Sequence, residues 1–351
     1  MAQVDGYAHP RGFRAHSQSL RVERRSLGRT GIEVSALGFG CGAVGGLMVR
    51  GDRSQQVRSI ALALESGINY FDTAPSYGDG ASEENLGRAL QELGVKAQVV
   101  VGTKVRLTTA GLSKPATAIR HSLEASLRRL GLDHVPLVHL HNPIGLETAD
   151  PTDPGVPTRA ALEEVADGLR RVVEEGLVRH VGFTAVGAAE ALERLAASPV
   201  YETVQAYFNI LNPSGLRAGA AGGQQDFEGL VPHAADHGVG VIAIRVYAAG
   251  ALSAGPARHP VAWLPSRPLI PGADYDADLE RARRLQRTAA QLGLESVLEL
   301  GLRFALTAPG VSTVLVGLSD IEHLEAAIRW SERGALPEDQ FRLLVGMAQT
   351  G

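Results

Sequence analysis

The chain has 351 residues, of which 44% are hydrophobic, 21% charged and 5% aromatic, with a formal net charge of -4. That balance supplies a large apolar core and gives no electrostatic reason to expect nucleic acid or an anionic membrane surface as a partner. The single cysteine, Cys41, excludes an internal disulfide and suits a reducing cytoplasm, and no run approaches the ~20 apolar residues that a membrane helix requires.

Residues 1–20 are polar and lack an apolar signal core, so they predict a mobile tail; 21–351 reads as one folded unit. "RVERRSLGRTGIEV" carries Gly28 and Gly31 at turn positions and predicts a small hairpin. Short apolar, β-branched runs then alternate with stretches of helical period. "VSALGFG" reads as a strand, and "SQQVRSIALALESG" as a helix closed by Gly67. "INYFDT" is a strand, followed by the helix "SEENLGRALQELG", with Ser82 as its N-cap and Gly94 as its stop. "AQVVVGTKV", "HVPLVHLHNP", "VRHVGFTAVG", "TVQAYFNIL", "VGVIAIRV" and "STVLVG" are the remaining strands, each followed by a helical run. These helical runs include "KPATAIRHSLEASLRRLG" with Pro115 in its first turn, "DFEGLVPHAADHG", and two between Asp276 and Leu306. A last helix, "PEDQFRLLVGMA", ends the chain's regular structure.

Eight strands apolar on both faces, in strict alternation with helices, predict parallel pairing under a helical cover, and eight such units close into a (β/α)8 barrel. An open doubly wound sheet is the rival. It expects G-x-G-x-x-G after the first strand, a spacing that "GFGCGAVGG" does not supply. The early hairpin is placed at the barrel floor.

A barrel of this kind keeps its site at the C-terminal ends of the strands. Three consecutive strands end there in ionisable groups: Asp72, Lys104 and His141. Period two aligns Tyr70 with Asp72, Gly102 with Lys104 and His139 with His141, and parallel neighbours lie about 4.8 Å apart. Tyr77 follows in the turn "TAPSYG". A phenol titrates near ~10 and a neighbouring ammonium lowers that value. Lys104 is expected to supply the charge, Asp72 to hold Lys104, and a neutral His141 to orient a carbonyl. The set suits reduction of C=O or oxidation of CH–OH, with the hydride from a cofactor, because no side chain provides one. Taken singly, each residue also reads as a cap, a surface group or a structural histidine. The other histidines and Cys41 show no metal-ligand spacing, so no metal site is expected.

The stretches "RSLGRTGIEVSALGFGCGAVGG", "NYFDTAPSYGDGASEENLGRAL", "VVVGTKV" and "LVHLHNP" resemble the aldo-keto reductase family in order and spacing. The resemblance runs from about Arg25 to the end of the eighth strand–helix unit. It implies a catalytic tetrad of Asp72, Tyr77, Lys104 and His141, with Tyr77 as general acid in reduction and general base in oxidation. It also implies an extended nicotinamide cofactor across the barrel mouth, touched by Asp72, Thr184, Gln205, Ile244, Arg245, Val246, Gly317, Leu318, Ser319 and His323. The chain departs from the family pattern at Ala185, where the family has Asn, at Ile244, where it has a stacking Tyr, and at Ala327, where it has Asn. The usual cation near Ser319 and Asp320 is absent. Asp320 repels a 2′-phosphate, which favours NAD(H) over NADP(H), although Asp320 also reads as a plain helix cap.

Substrate selection falls to three loops at the same end: "IGLETADPTDPGVPT", "NPSGLRAGAAGGQQ" and "SAGPARHPVAWLPSRPLIPGAD". Tyr77, His141, Phe208, Tyr247 and Trp263 are the expected contacts to a small carbonyl or sugar. "VYAAGALS" and the Asp320 turn are somewhat similar to the branch of the family that oxidises aldoses at C1 with NAD. A cofactor-binding regulatory subunit, like channel β-subunits, is the alternative from another class. A phosphate-handling barrel would need a glycine-rich grip after the last strands and no tetrad.

Overall fold

A computed structural model describes residues 22–145, 157, 159–255, 257–264 and 268–348. The predicted tail at 1–20 and most of the loop "IGLETADPTDPGVPT" lie outside the described residues.

Two short strands, β1 (Arg24–Ser26) and β2 (Glu33–Ser35), pair antiparallel and form the predicted hairpin. The next eight are β3 (Leu37–Gly40), β4 (Tyr70–Asp72), β5 (Val100–Val105), β6 (Val135–Leu140), β7 (Val178–Thr184), β8 (Thr203–Tyr207), β9 (Gly240–Ile244) and β10 (Val311–Gly317). They close in chain order into a barrel, β10 pairing parallel with both β9 and β3. The helices of the cover are α1 (Leu47–Arg50), α2 (Arg53–Glu65), α3 (Ala81–Leu93), α4 (Thr109–Leu112), α5 (Pro115–Leu130), α6 (Arg159–Glu174), α7 (Ala189–Ala196), α8 (Leu230–Asp236), α9 (Tyr275–Gln291), α10 (Val297–Thr307), α11 (Ile321–Glu332) and α12 (Glu338–Met347).

The strands are apolar on both faces because they meet two different cores. Phe71 of β4 turns outward and packs against Phe39 of β3, with ring centroids 5.4 Å apart and tilted by 34°, within the large core under the helices. Tyr70 turns inward to a separate cluster with Leu27, Val34, Leu137, Ile242 and Leu315. Leu27 and Val34 come from the hairpin, so the hairpin plugs the barrel floor; each is fully buried, worth roughly 2 kcal/mol of hydrophobic stabilisation. Gly28 makes the plug possible. Its φ is +53°, and a Cβ there would lie 2.2 Å from the Gly240 nitrogen.

Two local expectations are corrected. α3 starts at Ala81 behind Gly80, whose φ of +94° serves as the helix entry, and Ser82 is not its N-cap. The Ser82 hydroxyl instead donates to the Cys41 carbonyl at 2.9 Å and bonds Thr73 at 2.8 Å, tying α3 to the ends of β3 and β4. The helix expected over "DFEGLVPHAADHG" is only Leu230–Asp236. Gly229 at φ +82° blocks an earlier start.

Candidate active site

β4 ends on Asp72, which sits opposite Gly102 of β5, and Lys104 of β5 sits opposite His139 of β6. The parallel stagger of β4 and β5 brings the carboxylate and the ammonium together. Lys104 Nζ donates to Asp72 Oδ2 at 2.6 Å and to the Thr73 carbonyl at 2.8 Å. Lys104 is 1% exposed and Asp72 4%, so the pair is enclosed. Beyond Tyr77 the chain reverses through Gly78, Asp79 and Gly80, with φ of +64°, +50° and +94°. This left-handed run is suited to glycine and to short polar residues, and it returns Tyr77 over the ion pair. Lys104 Nζ lies 4.7 Å from the Tyr77 ring centroid and interacts with its hydroxyl. The His141 ring meets Tyr77 edge-on, with centroids 6.4 Å apart at 89°. The four side chains expected to converge therefore do converge.

Burial sets the electrostatics. It pushes the Tyr77 phenol above its ordinary value, and Lys104 opposes that push without reversing it. The expectation of a lowered phenol is thus corrected: desolvation outweighs the ammonium. Lys104 itself is held above its usual value, because Asp72 and then Tyr77 outweigh its own burial. Burial also raises Asp72, against Lys104, Gln205 and Tyr70. His141 is driven well below the usual imidazole range by burial and then by Lys104. His139, beneath it, falls to about 3 for the same reasons. Both imidazoles are neutral at neutral pH. Burial raises the Cys41 thiol, which removes it as a thiolate nucleophile.

Thr184 and Gln205 are paired across β7 and β8. The Thr184 hydroxyl donates to Gln205 Oε1 at 3.2 Å, and Gln205 Nε2 donates to Asp72 Oδ1. Ile244 ends β9 partly buried. Arg245 follows at φ +60°, in the left-handed region. Its guanidinium has no acid partner among the described residues, and burial is the main pressure on its charge. Val246 and Leu318 are buried and offer only backbone to a ligand. Gly317 is exposed at the tip of β10, and the Ser319 hydroxyl is committed to the Gly45 carbonyl at 2.7 Å.

Asp320 is the cap of α11, accepting from the His323 backbone at 2.9 Å. Its other oxygen lies 3.5 Å from His259 Nε2, and the half-exposed His323 ring lies beside it at 3.7 Å.

The aromatic expectations divide. Phe208 is fully buried and stacked on Phe304 at 5.6 Å, so it belongs to the outer core and is corrected as a substrate wall. Tyr247 is partly buried, with a hydroxyl that has no hydrogen-bond partner among the described residues. Trp263 is 47% exposed on a loop pinned beside β3: its backbone nitrogen donates to the Val44 carbonyl at 3.1 Å, and Arg50 donates to the Val261 carbonyl at 2.8 Å. Sequence reasoning treated Tyr70 only as a member of the inward face. Its hydroxyl reaches Asp72 at 3.5 Å. Among the described residues no cluster of three metal-ligating side chains forms, and no helix is long and apolar enough to cross a membrane.

A donor phenol, a clamped ammonium and a neutral imidazole at one barrel mouth can move a proton to or from a carbonyl oxygen. The Aldo/keto reductase family profile matches residues 36–348. The chain is similar to an L-galactose dehydrogenase of Arabidopsis thaliana, 29% identical over 87% of this chain and 86% of that protein. It is also similar to an aldo-keto reductase of Bacillus subtilis, 28% identical over 87% of each, and to a putative voltage-gated potassium channel subunit beta of Schizosaccharomyces pombe, 27% identical over 88% of each. The holo form of an aldo-keto reductase from Bacillus halodurans shares the fold, with a TM-score of 0.67 and 24% identity over 93% of this chain and 96% of that one. With the closed barrel, the site at its mouth and a family match across nearly all of its length, this chain belongs to the aldo-keto reductases, oxidoreductases that use nicotinamide cofactors and act on small carbonyl substrates.

Proposed function

We propose that the protein interconverts the carbonyl and hydroxyl of an aldehyde, ketone or aldose, with Tyr77 as the proton donor in reduction and the acceptor in oxidation. The observation that carries this reading is the Lys104 ammonium, fixed by Asp72 and Thr73 and presented to Tyr77. As Tyr77 loses its proton, the phenolate gains a partner already in place and already desolvated, so little reorganisation accompanies the transfer. Because the phenol is held above its ordinary value, it stays protonated through neutral pH and suits reduction there; oxidation gains as pH rises. The neutral His141 donates to the carbonyl oxygen and sets its direction without competing for the proton.

The residues at the mouth fit a dinucleotide. Arg245 is a cation without an acid partner among the described residues, matched to a diphosphate, and Thr184 and Gln205 carry the hydroxyl and amide that a carboxamide needs. When bound, the nicotinamide supplies the hydride. Asp320, on the rim, supports NAD(H) over NADP(H), since a carboxylate there disfavours a 2′-phosphate. The seventh-strand segment and the similarity to an L-galactose dehydrogenase support an aldose among the substrates to be tried first.

Two measurements test this reading. Fluorescence titration with NADH and NADPH is expected to show tighter binding of NADH. Turnover of an aldose and aldehyde panel is expected to fall by about a thousandfold or more in Tyr77→Phe, with the NADH Kd within twofold. Cofactor binding without turnover of any panel member would support the regulatory-subunit alternative instead.

A further inference from the structure

Tyr70 is built into the barrel beneath the site with unusual provision for its size. It is fully buried, and its ring rests on the floor plug. Both neighbouring strands present glycine to it. On β3, a Cβ at Gly38 would lie 3.1 Å from Tyr70 Cδ1. On β5, a Cβ at Gly102 would lie 2.8 Å from the Tyr70 hydroxyl oxygen. Gly102 therefore leaves room for the ring edge and most of all for the hydroxyl, since Cε2 and Cζ would lie at 3.3 and 3.4 Å from that Cβ. Burying a hydroxyl is costly unless it is hydrogen-bonded. The polar side chains this one meets are Asp72, with Oδ1 at 3.5 Å, and the Gln205 amide.

We propose that Tyr70 is a positioning residue for this site, acting through Asp72: its hydroxyl anchors the carboxylate from below so that the opposite oxygen stays on Lys104. The inference rests on the reading of Tyr77 as the proton donor. Asp72 divides its oxygens, Oδ2 to Lys104 and Oδ1 to Gln205 and Tyr70. Gln205 also faces the cofactor in the proposed function, whereas Tyr70 meets only Asp72 and Gln205 among the polar side chains of the described residues and is not shared with a ligand. The groups whose charge Asp72 meets are Lys104 on β5, Tyr77 on the following turn and Cys41 beyond β3; His139 and His141 on β6 act on Lys104 in turn. Of these, only Lys104 is charged at neutral pH. Loss of the Tyr70 hydroxyl removes one donor from the carboxylate and so favours its protonated form. A protonated Asp72 releases Lys104, and Tyr77 loses the ammonium that eases its proton transfer.

The test is Tyr70→Phe, which keeps the ring. The protonated carboxyl band of Asp72 is followed by infrared titration of the whole protein, assigned by its loss in Asp72→Asn. It is expected to appear at a pH about half a unit or more higher in Tyr70→Phe than in the unsubstituted protein, the size of one lost donor. The acidic limb of kcat should move up by the same amount, so that kcat on that limb falls about threefold or more while KM and the NADH Kd stay within twofold. Coincident infrared titrations overturn the proposal, even if Tyr70→Phe lowers thermal stability, because packing alone would do that. Gly102→Ala, which drives a methyl against the hydroxyl, should give the same displacement and stands in should Tyr70→Phe fail to fold. The infrared readout needs no substrate. A shifted band in a protein whose Tyr77→Phe variant keeps full turnover would sink the proton-donor assignment and not the contact itself.

Discussion

Glu299 and Asp72 are both buried against cations in this barrel, and they illustrate different uses of the same interaction. Glu299, at the start of α10, is fully enclosed. It accepts from Arg333 Nη1 at 2.9 Å on both oxygens, from Arg303 at 3.2 Å and from the Glu295 backbone at 2.7 Å. Arg303 spends its remaining donors on the Gly334 and Ala335 carbonyls at 2.9 and 3.2 Å. The partners of Glu299 are guanidinium and backbone groups, and none is a phenol, thiol or imidazole that could change its charge. At the mouth, Asp72 also holds Lys104, but Lys104 leads on to a phenol whose hydroxyl bonds no other side chain among the described residues. A buried ion pair therefore does not mark a site. An ion pair with an unsatisfied neighbour that can change its charge does.

The sharpest way to break this contrast is Tyr77→Phe. If the phenol is the outlet of the Asp72–Lys104 pair, kcat drops about a thousandfold or more, roughly 4 kcal/mol, while the melting temperature barely moves. Glu299→Leu should do the reverse. Truncating one partner of a buried pair costs about 3 kcal/mol of stability, and urea unfolding should register that loss. The turnover of the protein still folded should match the parent. If Glu299→Leu instead abolishes turnover in folded protein, the division between the two pairs is false.

Much of the active pair and little of the structural one is legible in the sequence. Asp72, Lys104 and His141 stand at the ends of strands whose period is clear, so their meeting follows from barrel geometry alone. Glu299 bonds across about 34 residues to Arg333 on another helix, a pairing that no local pattern encodes. Tyr70 was hidden for a different reason: an aromatic on a core strand reads as packing, and only the structure shows its hydroxyl within reach of Asp72 between facing glycines. Phe208 misled in the opposite direction. Phe208 continues the β8 ladder in step with Val204 and Ala206, so period two already sends its ring outward onto Phe304. The phenol's direction of shift depended on how deeply the pair is enclosed, and residue spacing does not carry that depth.

Acid should separate the two regions further. His139 has its folded value near 3, against an ordinary ~6.5 in the unfolded chain. A histidine lowered in this way is neutral in both states above ~6.5 and contributes nothing there. Below that, the unfolded chain takes up a proton that the native barrel refuses, and stability falls by about 1.4 kcal/mol per pH unit until pH nears 3. Paired urea titrations of the parent and His139→Asn between pH 7 and pH 4.5 should therefore converge as pH falls, with the variant losing one proton's worth of slope. Parallel curves would mean that the barrel interior admits the proton.

The smallest expected effect concerns a third carboxylate, Asp320, which is neither sealed like Glu299 nor coupled to a phenol like Asp72. It caps α11 through one oxygen and faces His259 with the other, on the rim where a cofactor's ribose is proposed to lie. Serine caps a helix about as well as aspartate, so Asp320→Ser separates the two roles that the sequence left superimposed. Stability should stay within about 0.5 kcal/mol, because the α11 backbone keeps its acceptor. NADPH affinity should tighten about three- to tenfold, because a like charge leaves the position of the 2′-phosphate, while the NADH Kd stays within twofold. An unchanged NADPH Kd in a variant of unchanged stability would reduce Asp320 to a cap and move the origin of any cofactor preference to the Arg245 side of the mouth.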